Sequence, residues 1–111
     1  MHECLYDFTY IRSLSSSPEF LKEMIALFLK KVPPQIDLLE STVLQPASEE
    51  PAKILHQLKP SLQMIGCHQY LPECISLEYA LRSGENRTAL LPRFKKLVEG
   101  ARLCIQQLEV L

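Results

Sequence analysis

Glycine is scarce in this chain, three residues in 111, and period-two alternation of apolar and polar residues is hard to find. Both absences argue against a hairpin-rich β fold. No run of 18 or more residues is free of charge, so no segment is expected to span a bilayer. The opening Met1-His2-Glu3-Cys4 lacks the basic and apolar regions of a secretory leader. Charge of one sign is missing too. Twelve basic residues meet thirteen acidic ones for a net charge of −1, and no long basic run offers a footprint for nucleic acid. The four cysteines (Cys4, Cys67, Cys74 and Cys104) form no C-x-x-C pair. With no leader, they read as reduced, partly buried thiols of a cytoplasmic protein.

Several chemistries are excluded in the same way. There is no glycine-rich phosphate cradle, P-loop or kinase nucleotide signature, so the chain is not expected to use ATP itself. Di-metal helical bundles use Glu-x-x-His pairs, but Lys53 and Ile65 stand three residues before His56 and His68. Cys67, His68 and Cys74 lack zinc-ligand spacing. No metal is expected.

What the chain does have is apolar residues recurring at three and four. One stripe runs Leu21, Ile25, Phe28, Val32, Ile36, Leu39, Val43; another runs Leu90, Phe94, Leu97, Ala101, Cys104, Leu108. A shorter one takes Tyr70, Cys74, Leu77 and Leu81, and a fourth surrounds His56. Four amphipathic helices follow, after a short helical turn near Thr9 to Leu14. Pro18, Pro51, Pro72 and Pro92 each fall in, or just past, the first turn of an expected helix, where a missing N–H costs little. Ser17, Ser48 and Thr88 are the expected N-caps. Pro33-Pro34 should break a helix, yet the apolar stripe holds its phase through the pair, which predicts one long, kinked helix. Short connections near Gln45–Ala47, Cys67–Gln69 and Ser83–Arg87 favour antiparallel neighbours. The expected fold is therefore all-α: a single domain over residues 1–111, an antiparallel up-down four-helix bundle.

One helix carries a reactive side chain. Stepping residues 54–65 by about 100° each puts His56, Lys59, Pro60 and Gln63 on one polar face. Ile54, Leu55, Leu58, Leu62 and Ile65 fall on the opposite, apolar face. An imidazole is thus held toward solvent with an ammonium one turn away, an arrangement suited to picking up and handing on a phosphoryl group.

His56-x-x-Lys59-Pro60-Ser61-x-x-x-x-Gly66 resembles the phosphorylation signature of histidine-containing phosphotransfer (HPt) domains, H-x-x-K-[small]-[S/A]-x-x-x-x-G. The lead-in from Tyr6-Asp7-Phe8 through Pro18-Glu19-Phe20 to Phe28-Leu29 is similar to that of the same family, so the resemblance covers nearly the whole chain. It implies a phosphocarrier, without kinase activity of its own, that relays phosphate between aspartate-bearing receiver domains. His56 would be the nucleophile: a free imidazole titrates near ~6.5 and is largely unprotonated at neutral pH. Lys59 would offset phosphoryl charge. Pro60 stands where the family usually has glycine; it is compact, but crowds the His56 carbonyl and predicts a local bend. Ser61 and Gly66 read as packing residues, Gly66 at a helix C-terminus. Counting onward, Glu78 takes the place of a family residue that bonds the histidine ring, and Arg82 that of a basic residue. The plainer alternative is a solvated i,i+4 ion pair between them, worth ~0.3–0.5 kcal/mol.

The resemblance implies response-regulator receivers and a hybrid histidine kinase as partners, with Mg²⁺ on the receiver and no cofactor here. Pro60, Gln63 and Arg82 would join the docking surface of a monomer. Two other readings stay open: a helical adaptor that binds receivers without transfer, and the excised HPt domain of a hybrid sensor kinase. His2 and His68 have no setting comparable to His56. The pairs Lys30-Lys31 and Lys95-Lys96 read as solvated helix faces, and the four phenylalanines as packing.

Overall fold

A computed structural model describes residues 3–45 and 47–111. His2 and the middle of the Gln45–Ala47 connection lie outside the described residues. Five helices make up the fold: α1 (Thr9–Leu14), α2 (Pro18–Thr42), α3 (Glu50–Ile65), α4 (Leu71–Arg82) and α5 (Arg87–Glu109). Among the described residues there is no strand, and no helix is long and apolar enough to cross a membrane.

Local chemistry explains where each helix starts. Ser17 caps α2 as expected: its Oγ accepts the Phe20 N–H at 3.3 Å, and Pro18 opens the first turn. Two expected caps are displaced. Ser48 Oγ accepts the Glu50 N–H at 3.2 Å, but the N-cap position itself belongs to Glu49. Asn86, not Thr88, caps α5, its Oδ1 accepting the Thr88 N–H at 2.9 Å. That earlier start puts Pro92 in the second turn of α5 rather than at its edge. The α2 helix runs unbroken across Pro33 and Pro34, whose missing amides leave two carbonyls of the preceding turn without helical donors. Packing outweighs that cost, because Phe28, Val32, Ile36 and Leu39 stay in phase and are buried.

The helices pack in a closed ring, α2 on α3, α3 on α4, α4 on α5 and α5 on α2, with α1 lying across α2 and α3. Ile54, Leu55, Leu58, Leu62 and Ile65 fill the interior from α3. Each such side chain contributes roughly 1.5–3 kcal/mol on burial. Cys67, Cys74 and Cys104 are buried thiols, Cys4 is exposed, and all four are free. Polar ties hold the exterior. Arg102 of α5 reaches Asp37 at 3.0 Å and both Glu40 oxygens at 2.9 Å on α2. Arg87 donates to the Gln45 and Ser48 carbonyls at 2.6 Å each, securing the α2–α3 connection to the start of α5.

The α3 helix ends on Gly66 at φ 74°. The Cys67 N–H returns to the Leu62 carbonyl at 2.9 Å and the Gly66 N–H to Gln63 at 3.2 Å, the paired bonds of a Schellman motif. Glycine is needed here for a second reason. The N-terminal segment crosses the turn so closely that a Cβ on Gly66 would lie 1.9 Å from the Asp7 carbonyl oxygen. That segment is sewn down along its length. The Asp7 N–H donates to the Ile65 carbonyl at 3.0 Å, Leu5 N–H to Gln107 Oε1 at 2.8 Å, and Gln107 Nε2 to the Glu3 carbonyl at 2.7 Å.

Candidate functional site

The apolar back of α3 dictates what its outer face presents. With Leu55 and Leu58 fully buried, His56 between them turns outward, and 65% of its side chain is exposed. Lys59 follows one turn on. The α4 helix lies alongside, and its Glu78 side chain, only 9% exposed, faces α3. Three cationic or ring nitrogens converge on that carboxylate. Lys59 Nζ lies 2.7 Å from Oε1; His56 Nδ1 lies 3.1 Å and Arg82 Nε 2.9 Å from Oε2.

Burial pushes the Glu78 carboxyl up. The hydrogen bonds from Lys59 and Arg82, then the charges of Lys59 and His56, outweigh it and hold the group below the usual carboxylate range. An ionised carboxylate only accepts hydrogen bonds. The ring nitrogen facing it must therefore carry a proton, and in the neutral ring the lone pair then lies on the other nitrogen, Nε2. An exposed imidazole in this tautomer is a nucleophile with its ring orientation set by a carboxylate. Beneath it, Cys74 Sγ donates to the Leu55 carbonyl at 3.2 Å, and burial together with the Glu78 charge pushes that thiol up to about 12. Cys74 is a packing residue of the site floor, not a second nucleophile.

The residues expected from sequence meet in part. His56, Lys59, Glu78 and Arg82 form one cluster. Glu78 bonds the ring and pairs with Arg82 through the same oxygen, but the pair is not the solvated one of the plainer alternative, because the Glu78 side chain is only 9% exposed. Lys59, however, rests on Glu78 rather than standing free beside the ring. Pro60 and Gln63 are exposed on the same face, Ser61 is half-buried, and Gly66 serves the turn at the helix end. Pro60 removes the amide that would bond the His56 carbonyl, yet α3 continues through it to Ile65.

Sequence reading missed the contribution of α2. Lys31 and Gln35 join His56, Gln57, Lys59 and Pro60 around an open groove of about 530 Å³, and Gln35 Nε2 donates to Gln57 Oε1 at 3.5 Å. Lys31 had looked like part of a plain solvated face; the signal lay in its i,i+4 spacing to Gln35 across the proline pair. Next to this groove, Met24, Leu27, Phe28, Pro60 and Met64 line a smaller apolar hollow of about 140 Å³. His68 has a structural place: its Nε2 lies 3.1 Å from Asp7 Oδ2 and helps hold the N-terminal segment. Among the described residues no three His, Cys, Asp or Glu side chains converge as a metal site. No protein-family model and no curated protein matches this chain.

Proposed function

We propose that this chain is an HPt-type phosphocarrier of a phosphorelay, accepting a phosphoryl group on His56 from a receiver-domain aspartate and passing it to another receiver. The observation that carries this reading is the exposed His56 ring with Nδ1 seated on the buried Glu78 carboxylate, Lys59 and Arg82 beside it. In the acceptor step the Nε2 lone pair bonds phosphorus as the P–O bond of the aspartyl phosphate breaks, its electron pair leaving on the aspartate. The onward step reverses this at a second carboxylate. The two Lys59 donors not used on Glu78 and the two outer amino groups of Arg82 supply positive charge for the phosphoryl oxygens. In this reading α2 to α5 are the family's four-helix bundle, with α1 as its lid. The Mg²⁺ needed for transfer belongs to the receiver, and the relay runs in the cytoplasm.

The apolar hollow beside Pro60 and the exposed Leu27 suit a modest docking surface from which a relay partner can leave again. The test is phosphotransfer from a phosphorylated receiver. Wild-type chain should acquire acid-labile, base-stable label and His56→Gln none. Label retained on the Gln variant overturns the reading.

A further inference from the structure

The carboxylate beside His56 can do more than aim the ring. Transfer through Nε2 imposes a charge requirement. When Nε2 bonds phosphorus while Nδ1 keeps its proton, the ring becomes a cation. When the P–N bond breaks again, the electron pair returns to Nε2 and leaves a neutral imidazole. Were the Nδ1 proton lost in between, the departing ring would be an imidazolate, a far poorer leaving group. A carrier that must both load and unload therefore needs that proton held for as long as the phosphoryl group is on board.

The geometry points to Glu78 as the counter-charge that keeps the Nδ1 proton on His56 throughout loading and unloading. Lys59 and Arg82 act as competing cations that leave the carboxylate for the phosphoryl group. This inference rests on His56 being the carrier. Three observations support it. Glu78 is nearly buried, so its charge acts through a poorly screened path. Its Oε2 is shared between His56 and Arg82, and its Oε1 is taken by Lys59. With the ring neutral, one negative charge therefore serves two positive ones. Arg82 uses only Nε on Glu78, which leaves its outer amino groups, on a side chain 55% exposed, to meet phosphoryl oxygens. A phosphoryl group arriving on Nε2 draws both cations outward, and the carboxylate charge they release falls on the ring.

Two further cations belong to the helices that flank the ring. Lys31 of α2 lines the same groove, and Lys53 lies one turn before His56 on α3, 4.0 Å from Glu50. Each of these cations favours loss of the ring proton; the Glu78 carboxylate opposes it, together with the phosphoryl oxygens themselves, whose charge is common to wild type and Glu78→Gln. A glutamine in its place would aim the ring equally well. Its amide accepts from a protonated Nδ1 and donates to a bare one, so it orients the ring without discriminating between the two forms.

That difference is the test. The chain, carrying ¹⁵N-histidine, is phosphorylated with phosphoramidate, whose leaving group is ammonia, so no receiver is needed. The phosphorylated ring is then titrated by NMR. Its protonation midpoint in wild type should lie at least about one pH unit above that of Glu78→Gln, a tenfold difference in proton affinity. Arg82→Gln, a change at a half-exposed side chain, should move it above wild type, because the phosphoryl charge that Arg82 would offset then acts unopposed on the ring. Coincident midpoints in wild type and Glu78→Gln would reduce Glu78 to an orienting residue and overturn the inference. So would an Arg82→Gln midpoint at or below wild type. Failure of wild type to take the group on His56 removes the carrier reading and this inference together; coincident midpoints in labelled proteins remove only the inference.

Discussion

Replacing Gly66 by alanine tests the crossing of the N-terminal segment over the end of α3, and Gly84 provides a control inside the same molecule. Both glycines have left-handed backbones, φ 74° and 79°. Alanine in that conformation costs about 1–2 kcal/mol. A Cβ on Gly84 would meet nothing within 4 Å, whereas one on Gly66 would sit 1.9 Å from the Asp7 carbonyl oxygen and 2.8 Å from its nitrogen. Those are backbone atoms and cannot swing aside, so the segment must lift. Lifting it breaks the bond from Asp7 to Ile65, worth roughly 1 kcal/mol. It also loosens Leu5, whose burial is worth about 1.5–3 kcal/mol. Gly66→Ala should therefore cost about 3.5–6 kcal/mol in total and Gly84→Ala only about 1–2. With a urea dependence of about 1–3 kcal/mol per molar, the two unfolding midpoints should separate by roughly 1–2 M. Hydrogen exchange at the Asp7 amide should quicken in the Gly66 variant alone. Equal midpoints with an Asp7 amide still protected would refute the close crossing.

Two further outcomes follow from the same architecture. Hydrogen bonds from Thr9, then the one from His68, hold the Asp7 carboxyl at about 2, against ~3.9 for a free aspartate. A depressed folded-state value means the stabilisation is complete above about pH 4 and is lost as pH falls through 2. A carboxyl-carbon NMR titration should give an Asp7 midpoint near 2 that Thr9→Ala raises more than His68→Ala; a wild-type midpoint near 4 would count against the turn. In a thiol-reaction time course on folded protein, exposed Cys4 should react at once. Cys67, Cys74 and Cys104 should wait for unfolding, and a second fast thiol would show the interior to be open.

The helices were legible because each buries one face, and a buried face writes itself into the sequence at intervals of three and four. The phase of Phe28, Val32, Ile36 and Leu39 even carried α2 correctly through two prolines that local rules read as a break. Helix starts were less legible, since Ser48, Asn86 and Thr88 all have capping chemistry, while α3 starts after Glu49, whose side chain makes no cap bond; only the backbone path chooses among them. At the site, His56 and Lys59 share one helix, so their spacing showed their common face. Glu78 came from a family resemblance rather than from periodicity, because which side chain of α4 meets α3 depends on how two helices are rotated against each other. Lys31 and Gln35 escaped notice for the same reason. The strap from Glu3 to Asp7 has no repeating pattern at all; its partners, Gln107 and the turn at Gly66, are set by tertiary structure alone.

Gln107 grips the backbone of Glu3 and Leu5 from the last turns of α5, which brings the strap and the end of the last helix side by side. Such proximity makes the molecule a cassette. It can be spliced into a surface loop of a host protein without prying the host apart, and a few residues bridging its ends would allow the backbone to be reopened between α4 and α5. Domains with neighbouring ends are readily shuffled between larger proteins, and this one has the geometry to travel.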